Sequence, residues 1–146
     1  MKVNVNVKKL KSNAILPTRG SEYSAGNDLY ACIDKPVTIP PHSTVMIGTG
    51  LSVELPEGTF GANFARSGLA TKQGLAPANK VSVIDSDYRG EWIVPLHNHS
   101  DETRTVQPND RIAQLIIMPY ISANFIECDE LTETERGEGG FGSTGK

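Results

Sequence analysis

TVMIGTGLSVELPEGTFGANFA, Thr44 to Ala65, is the stretch whose reading decides the fold. Apolar residues fall on alternate positions in three short runs, Thr44–Gly48, Leu51–Leu55 and Thr59–Ala65. Between them sit turn formers, Gly48–Gly50 and Pro56–Gly58. Period-two patterning suits a pleated strand with one buried face, and Gly/Pro clusters at this spacing reverse the chain. The same texture continues outward in both directions. Val3, Val5 and Val7 alternate with polar residues. Further predicted strands are Lys35–Ile39, Val81–Ile84, Glu91–Asn98, Glu102–Val106, Ile112–Tyr120 and Phe125–Glu127, with Pro40-Pro41 and Pro108-Asn109-Asp110 as punctuation. The one predicted helix is Ser67–Gln73, stopped by Gly74. Many short strands at near-regular spacing indicate an all-β sandwich or barrel.

A chain of 146 residues is one domain, and at that size it buries roughly 68–70% of its unfolded surface, enough for a core of its own. Net charge is −3, and the most basic stretch, Lys8, Lys9 and Lys11, reads as a solvated face. A polymeric nucleic acid is therefore not an expected partner, while the charge balance leaves a small nucleotide open. Cys32 and Cys128 stand far apart and read as reduced, partly buried thiols. The N-terminus lacks the apolar centre of a signal peptide, and no apolar run reaches membrane-spanning length. No membrane partner is expected, and the expected location is cytoplasmic. Composition changes after Leu131. From Thr132 to Lys146 the only large apolar residue is Phe141, set among glycines. Such a segment cannot order by burying its own surface. The predicted organisation is a core over residues 1–131 and a flexible glycine-rich arm over 132–146 that orders by docking onto a ligand or neighbour.

Six stretches carry chemistry. Within GGFGSTGK, Gly140 to Lys146 fit the G-x-x-x-x-G-K pattern of a P-loop. That device needs a strand before it, a helix after it and a Ser or Thr for Mg²⁺. An acidic polar run precedes it, no following helix is expected, and the Ser or Thr is absent. In VIDSDYRGEW, Val83 to Trp92, Asp85 sits at a strand end near a hairpin tip, within reach of a water it could deprotonate. Asp85 and Asp87 are equally good turn formers, and a D-x-D pair could also hold a divalent metal. In FARSGLA, Arg66 offers a planar fork for phosphate oxygens, and Ser67-Gly68 open the helix where free N–H groups favour an anion. The plainer alternative there is an exposed Arg beside a Ser N-cap. In DRIAQLII, Gln114 stands in an apolar run and must find a partner, structural or ligand. AGNDLYA places Asp28 in turn-like surroundings. LHNHS sets His97 and His99 on one strand face, more simply surface histidines than a metal pair, because no third ligand lies nearby.

Taken in order, AGNDLYA, RSGLA, VIDSDYRGE, DRIAQL and RGEGGFGSTG resemble the five motifs of the trimeric deoxyuridine triphosphate nucleotidohydrolase (dUTPase) family, from about Ala25 to Gly145. The resemblance implies a jelly-roll-like fold, a distorted β-barrel with one short helix, assembled as a homotrimer with shared active sites. It implies hydrolysis of dUTP to dUMP and pyrophosphate with Mg²⁺ on the triphosphate. Such a reaction limits uracil incorporation into DNA and supplies dUMP for thymidylate synthesis. Asp85 would activate the attacking water. Tyr88 would pack under the deoxyribose, and Asn79, Ser82, Val83, Ile84 and Ile93 would form the uracil pocket, largely through main-chain groups. A fixed row of donors and acceptors rejects a mispaired base far better than a cavity rejects one methyl. Arg66, Ser67, Gly68, Gln114, Arg136, Ser143, Thr144 and Gly145 would contact phosphates, Phe141 would cover the uracil, and Asp28 would act on the metal indirectly, through water. Positioning and charge neutralisation of this kind supply most of the catalysis of phosphoryl transfer.

Three positions depart from the family pattern. Ser82 replaces a usual Gly and is expected to alter the pocket floor, Asn109 replaces a frequent Gly without expected effect, and Asn27 is at a variable site. One rival is a dCTP deaminase of the same fold, which needs a pocket glutamate that is not apparent. Another is a non-catalytic trimeric regulatory or interaction protein, which has no use for both Asp85 and Phe141.

Overall fold

The period-two runs become strands in a computed structural model that describes residues 3–140. In chain order the elements are β1 Asn6–Lys9, β2 Thr18–Arg19, β3 Asn27–Tyr30, β4 Val37–Ile39, β5 Thr44–Gly48, β6 Leu51–Glu54 and β7 Thr59–Phe64. After them come α1 Ser67–Gln73, β8 Leu75–Pro77, β9 Ser82–Ile84, β10 Ile93–Asn98, β11 Arg104–Val106 and β12 Arg111–Pro119. The fold is all-β and jelly-roll-like with one short helix. A five-stranded sheet runs in the order β2-β3-β12-β7-β9, and a three-stranded sheet in the order β5-β10-β8. The pairs β1-β6 and β11-β4 complete it, and every pairing is antiparallel.

One buried cluster joins the sheets. It gathers Leu29 from β3, Ile47 from β5, Leu75 from β8, Val94 and Leu96 from β10, and Ile112 and Leu115 from β12 around Trp92. Trp92 is 1% exposed, so truncating it to Ala would remove about 3–5 kcal/mol. The loops are tied by a buried amide. Asn98 Nδ2 donates to the carbonyls of Ile39 (3.0 Å) and Glu102 (2.7 Å), and Asn98 Oδ1 accepts from the Ser100 amide at 3.0 Å.

Two backbone positions follow the sequence closely. Gly74 ends α1 in the left-handed conformation at φ 68°. Asn109 also lies there, at φ 67°, which is why Asn serves where glycine is frequent. Other expectations need correction. The first strand begins at Asn6 rather than Val3. β2, β3 and β8 were not predicted, so Asp28 lies in a strand and not in a turn. Phe125–Glu127 forms no strand, and Phe125 is 94% exposed, with no partner strand among the described residues. Cys32 is buried and Cys128 exposed, in place of two partly buried thiols. The seven-residue α1 is too short to cross a membrane, and no helix among the described residues is long and apolar enough to do so.

Candidate active site

The chain leaves β9 at Ile84 and turns at once: the Tyr88 amide donates to the Asp85 carbonyl at 3.2 Å, with Ser86-Asp87 at the centre of the turn. The two readings of VIDSDY are therefore compatible, since turn residues also present Asp85 to solvent. The expected hairpin is not a two-stranded ladder. β9 pairs with β7, whereas β10 pairs with β5 and β8, so the turn passes from one sheet to the other. Beyond it, the Trp92 amide donates to the Leu51 carbonyl at 2.8 Å, anchoring the return.

A pocket of about 360 Å³ lies between the turn and the two sheets. Asn79, Ser82, Val83, Ile84, Asp85, Tyr88 and Ile93 all line it, so the residues singled out in sequence for base, sugar and proton transfer come together. β9 closes its sheet on the β7 side only, so its outer backbone edge is unpaired among the described residues. Ser82 Oγ donates to Asn79 Oδ1 at 3.0 Å, so the hydroxyl that replaces a usual glycine is spent on its neighbour. Tyr88 donates from its hydroxyl to the Glu91 carbonyl at 3.1 Å. A side chain at Gly90 would collide with the Tyr88 ring.

Sequence reasoning missed Met46, Glu91, Trp92 and Pro95 in this lining. Met46 and Pro95 face each other across the β5-β10 ladder. Only the outward phase of β5, with Met46 at an exposed position between Val45 and Ile47, could have signalled it. Glu91 corrects the expectation that no glutamate reaches the pocket. Its Oε1 accepts the Gly50 amide at 2.8 Å, which ties the carboxylate to the protein frame.

Arg66 and Gln114, predicted for phosphate, meet Asp28, predicted to act on the metal through water, in a second group. Asp28 on β3, only 13% exposed at its side chain, accepts from Arg66 Nε at 2.8 Å and from Arg111 at 3.2 Å. Arg111 was not expected here. Both Asp28 oxygens are thus engaged, and the Arg66 fork is aimed by its Nε bond. Gln114 pairs with Asp28 in the β12-β3 register and donates from Nε2 to the Ala65 carbonyl at 2.9 Å. A Cβ on Gly26 would strike the Gln114 amide. Arg66, not Ser67, is the N-cap of α1, and no side chain caps the helix, so its first amides are not taken by a cap. A Cβ on Gly68 would meet nothing within 4 Å.

Asp28, Arg66, Ser67, Gly68 and Gln114 do not line the pocket that holds Asp85. Arg136 is exposed and donates from Nε to the Gly139 carbonyl at 2.8 Å, within its own turn. Phe141, Ser143, Thr144 and Gly145 lie outside the described residues. His97 and His99 line none of the site either. The His99 pKa is lowered, first by desolvation and then by His97, Lys80 and His42. Among the described residues no three His, Cys, Asp or Glu side chains converge into a metal cage.

Comparison with known proteins gives one family. The family model described as dUTPase matches residues 12–145. The deoxyuridine 5'-triphosphate nucleotidohydrolase of Desulfitobacterium hafniense (strain DSM 10664 / DCB-2) is 52% identical over 131 residues, covering 89% of this chain and 87% of that protein. The protein of the same name from Syntrophotalea carbinolica is 45% identical over 143 residues, covering 98% of this chain and 97% of that protein. Among solved structures, the dUTPase of Staphylococcus bacteriophage 80alpha bound to dUPNHPP superimposes with a TM-score of 0.90 at 27% identity, covering 99% of this chain and all of that one.

Proposed function

The chain belongs to the dUTPase family, and from that membership we propose how its own residues convert dUTP to dUMP and pyrophosphate. The protein is a dUTP diphosphatase. The observation that carries the residue assignment is the edge of β9, unpaired on its outer side among the described residues, with Asp85 directly after it in the same pocket. Those N–H and C=O groups of Ser82–Ile84 that point away from β7 form a fixed row that matches the edge of uracil. Ile93 closes the opposite wall, and Tyr88 lies beneath the sugar where a ribose 2'-hydroxyl would have to fit.

Asp85 takes a proton from a water as that water's oxygen bonds to the α-phosphorus. The bond from the α-phosphorus to the bridging oxygen breaks, and pyrophosphate leaves. Arg66, the uncapped first amides at Ser67 and Gly68, and Gln114 hold the phosphate oxygens. Asp28 aims Arg66. The arm contributes Arg136, Ser143, Thr144 and Gly145 to the phosphates and Phe141 to the uracil face, excluding other waters.

The family works with a divalent metal, and Mg²⁺ fits these residues in one way. With no carboxylate cage among the described residues and both Asp28 oxygens engaged by arginine, Mg²⁺ would arrive on the triphosphate and keep its waters. Asp28 would then meet only those waters. Bound there, the ion would supply charge neutralisation on the phosphates.

The separation of the Asp85 pocket from the Asp28–Arg66–Gln114 group supports a homotrimer in which adjacent copies supply the two halves of each site. The surface agrees. Ile121, Phe125, Ile126 and Leu131 follow β12 and are 80–94% exposed. A groove of about 540 Å³, lined by Val5, Val7, Leu16, Val53, Leu115 and Ile117 among others, is open to receive such a segment from a second copy. A deaminase is not favoured, since every relative above carries the hydrolase name and Glu91 is tied to Gly50.

The test is subunit complementation. Asp85→Asn should lower turnover of dUTP by about 10²–10⁴-fold with dUPNHPP affinity retained, and Arg66→Ala should also be nearly inactive. Refolding the two variants together should restore measurable pyrophosphate release, because mixed trimers contain sites with both residues intact. No recovery in verified mixed trimers would remove the shared-site assignment. Near-normal turnover of Asp85→Asn alone would remove Asp85 as the base.

A further inference from the structure

All three histidines of the chain gather at one end of the three-stranded sheet, and none of them lines the pocket that holds Asp85. His97 lies on β10 and His99 one residue past its end. Val94, Leu96 and Asn98 are buried, so the intervening phase carries Pro95, His97 and His99 on the outer face. The two imidazole centroids are 4.4 Å apart, with ring planes at 64°. His97 Nδ1 is 2.9 Å from Thr44 Oγ1 on the paired strand β5. With Nδ1–H donating to that hydroxyl, the ring is held and the Nε2 lone pair is left open. His42 is engaged elsewhere, its Nε2 lying 2.9 Å from Asp101 Oδ1.

We propose that His97 and His99 form a bidentate chelate for a tetragonal transition-metal ion of the Cu²⁺ or Ni²⁺ class, a second metal site unrelated to the ion on the triphosphate. The centroid spacing fits a right-angled pair better than a tetrahedral one. With metal–nitrogen distances of about 2.0–2.1 Å, two imidazoles bound cis at a right angle have centroids about 4.5 Å apart, and at a tetrahedral angle about 5 Å apart. The observed 4.4 Å matches the right angle, the geometry of Cu²⁺ and Ni²⁺ with nitrogen ligands. Imidazole nitrogens disfavour Mg²⁺, which prefers oxygen, so the two metals sort between the sites by donor type. Strand pairing holds the pair on one side, since residues two apart on a strand share a face. Water completes the coordination.

The experiment is calorimetric titration of untagged protein with NiCl2 in excess MgCl2. The parent carries Cys128→Ser, because that exposed thiol would bind the same ions. The expected result is saturable Ni²⁺ binding that His97→Ala and His99→Ala each weaken by about tenfold or more. Thr44→Val should weaken it by about 10–100-fold, as loss of an orienting hydrogen bond does, and His42→Ala should leave it unchanged. Cu²⁺ bound to the parent should show hyperfine coupling to two imidazole nitrogens in its EPR spectrum. Unchanged dUTP turnover and circular dichroism identify the variants as folded. The proposal is overturned if the parent binds no Ni²⁺ saturably, if the His97→Ala/His99→Ala double variant binds it as the parent does, or if only one imidazole couples.

Discussion

Gly90→Ala isolates the geometry that the reaction demands of Tyr88. Gly90 is not among the residues with positive φ, so alanine adopts its backbone conformation freely and only space is at issue. The new methyl would overlap Tyr88 Oη, Cζ and Cε2 at once. Tyr88 is 46% exposed, so the ring can swing into solvent without disturbing the core. The hydrogen bond to the Glu91 carbonyl is then lost, a change of about 0.5–1.5 kcal/mol. Stability should fall only by about that amount, below the upper range for overpacked interiors. Function should suffer more. With the ring displaced, nothing fills the space of a ribose 2'-hydroxyl, and the preference for dUTP over UTP should drop by about 10–200-fold, the span of a steric term of 1–3 kcal/mol. The assay is kcat/KM for both nucleotides, with thermal unfolding in parallel. A double-mutant cycle makes it decisive, because in a Tyr88→Ala background the same Gly90→Ala change should have almost no further effect. An equal loss of discrimination in both backgrounds would refute the collision as the cause.

Gly68→Ala makes the opposite test, since its Cβ would enter open space on α1. Stability should be unchanged or higher by up to about 1 kcal/mol, while KM for dUTP rises if a phosphate oxygen approaches that position; normal KM would take Gly68 out of the phosphate group. The lowered His99 pKa fixes a sign for acid stability. In metal-free buffer the unfolded chain takes up the His99 proton first, near its ordinary value of 6.5, so stability should decline as pH falls from neutrality through that range. His99→Gln should flatten that decline in Tm, and an unaltered slope would show that other groups dominate it.

Much of the site was legible because its chemistry is compact in sequence. Asn79 to Ile93 supplies most of the pocket lining within one stretch, so the resemblance of its motif to the dUTPase family pointed to it, whereas Asp85 taken alone reads as a turn former. Met46 was not legible, since it joins the pocket only through the β5-β10 register, and pairing registers are not written in any single strand. Arg111 was hidden for a similar reason: it reaches Asp28 from a residue 83 positions away. The missed strands are those in which periodicity has no room to appear. β2 has two residues, β3 carries one buried side chain, and β8 ends in a proline at a sheet edge. Phe125–Glu127 shows the reverse error, an apolar pattern that no surface among the described residues buries.

The crossing of the Asp85–Tyr88 turn from the β9 sheet to the β10 sheet makes the catalytic geometry a gauge of how the two halves sit. A small slip between the sheets, too slight to melt either ladder, would shift Asp85 and Tyr88 relative to Ile93. On heating, turnover should fade while the far-ultraviolet signal is still native. A bound nucleotide, gripping both halves, would act as a rivet and bring the two curves together.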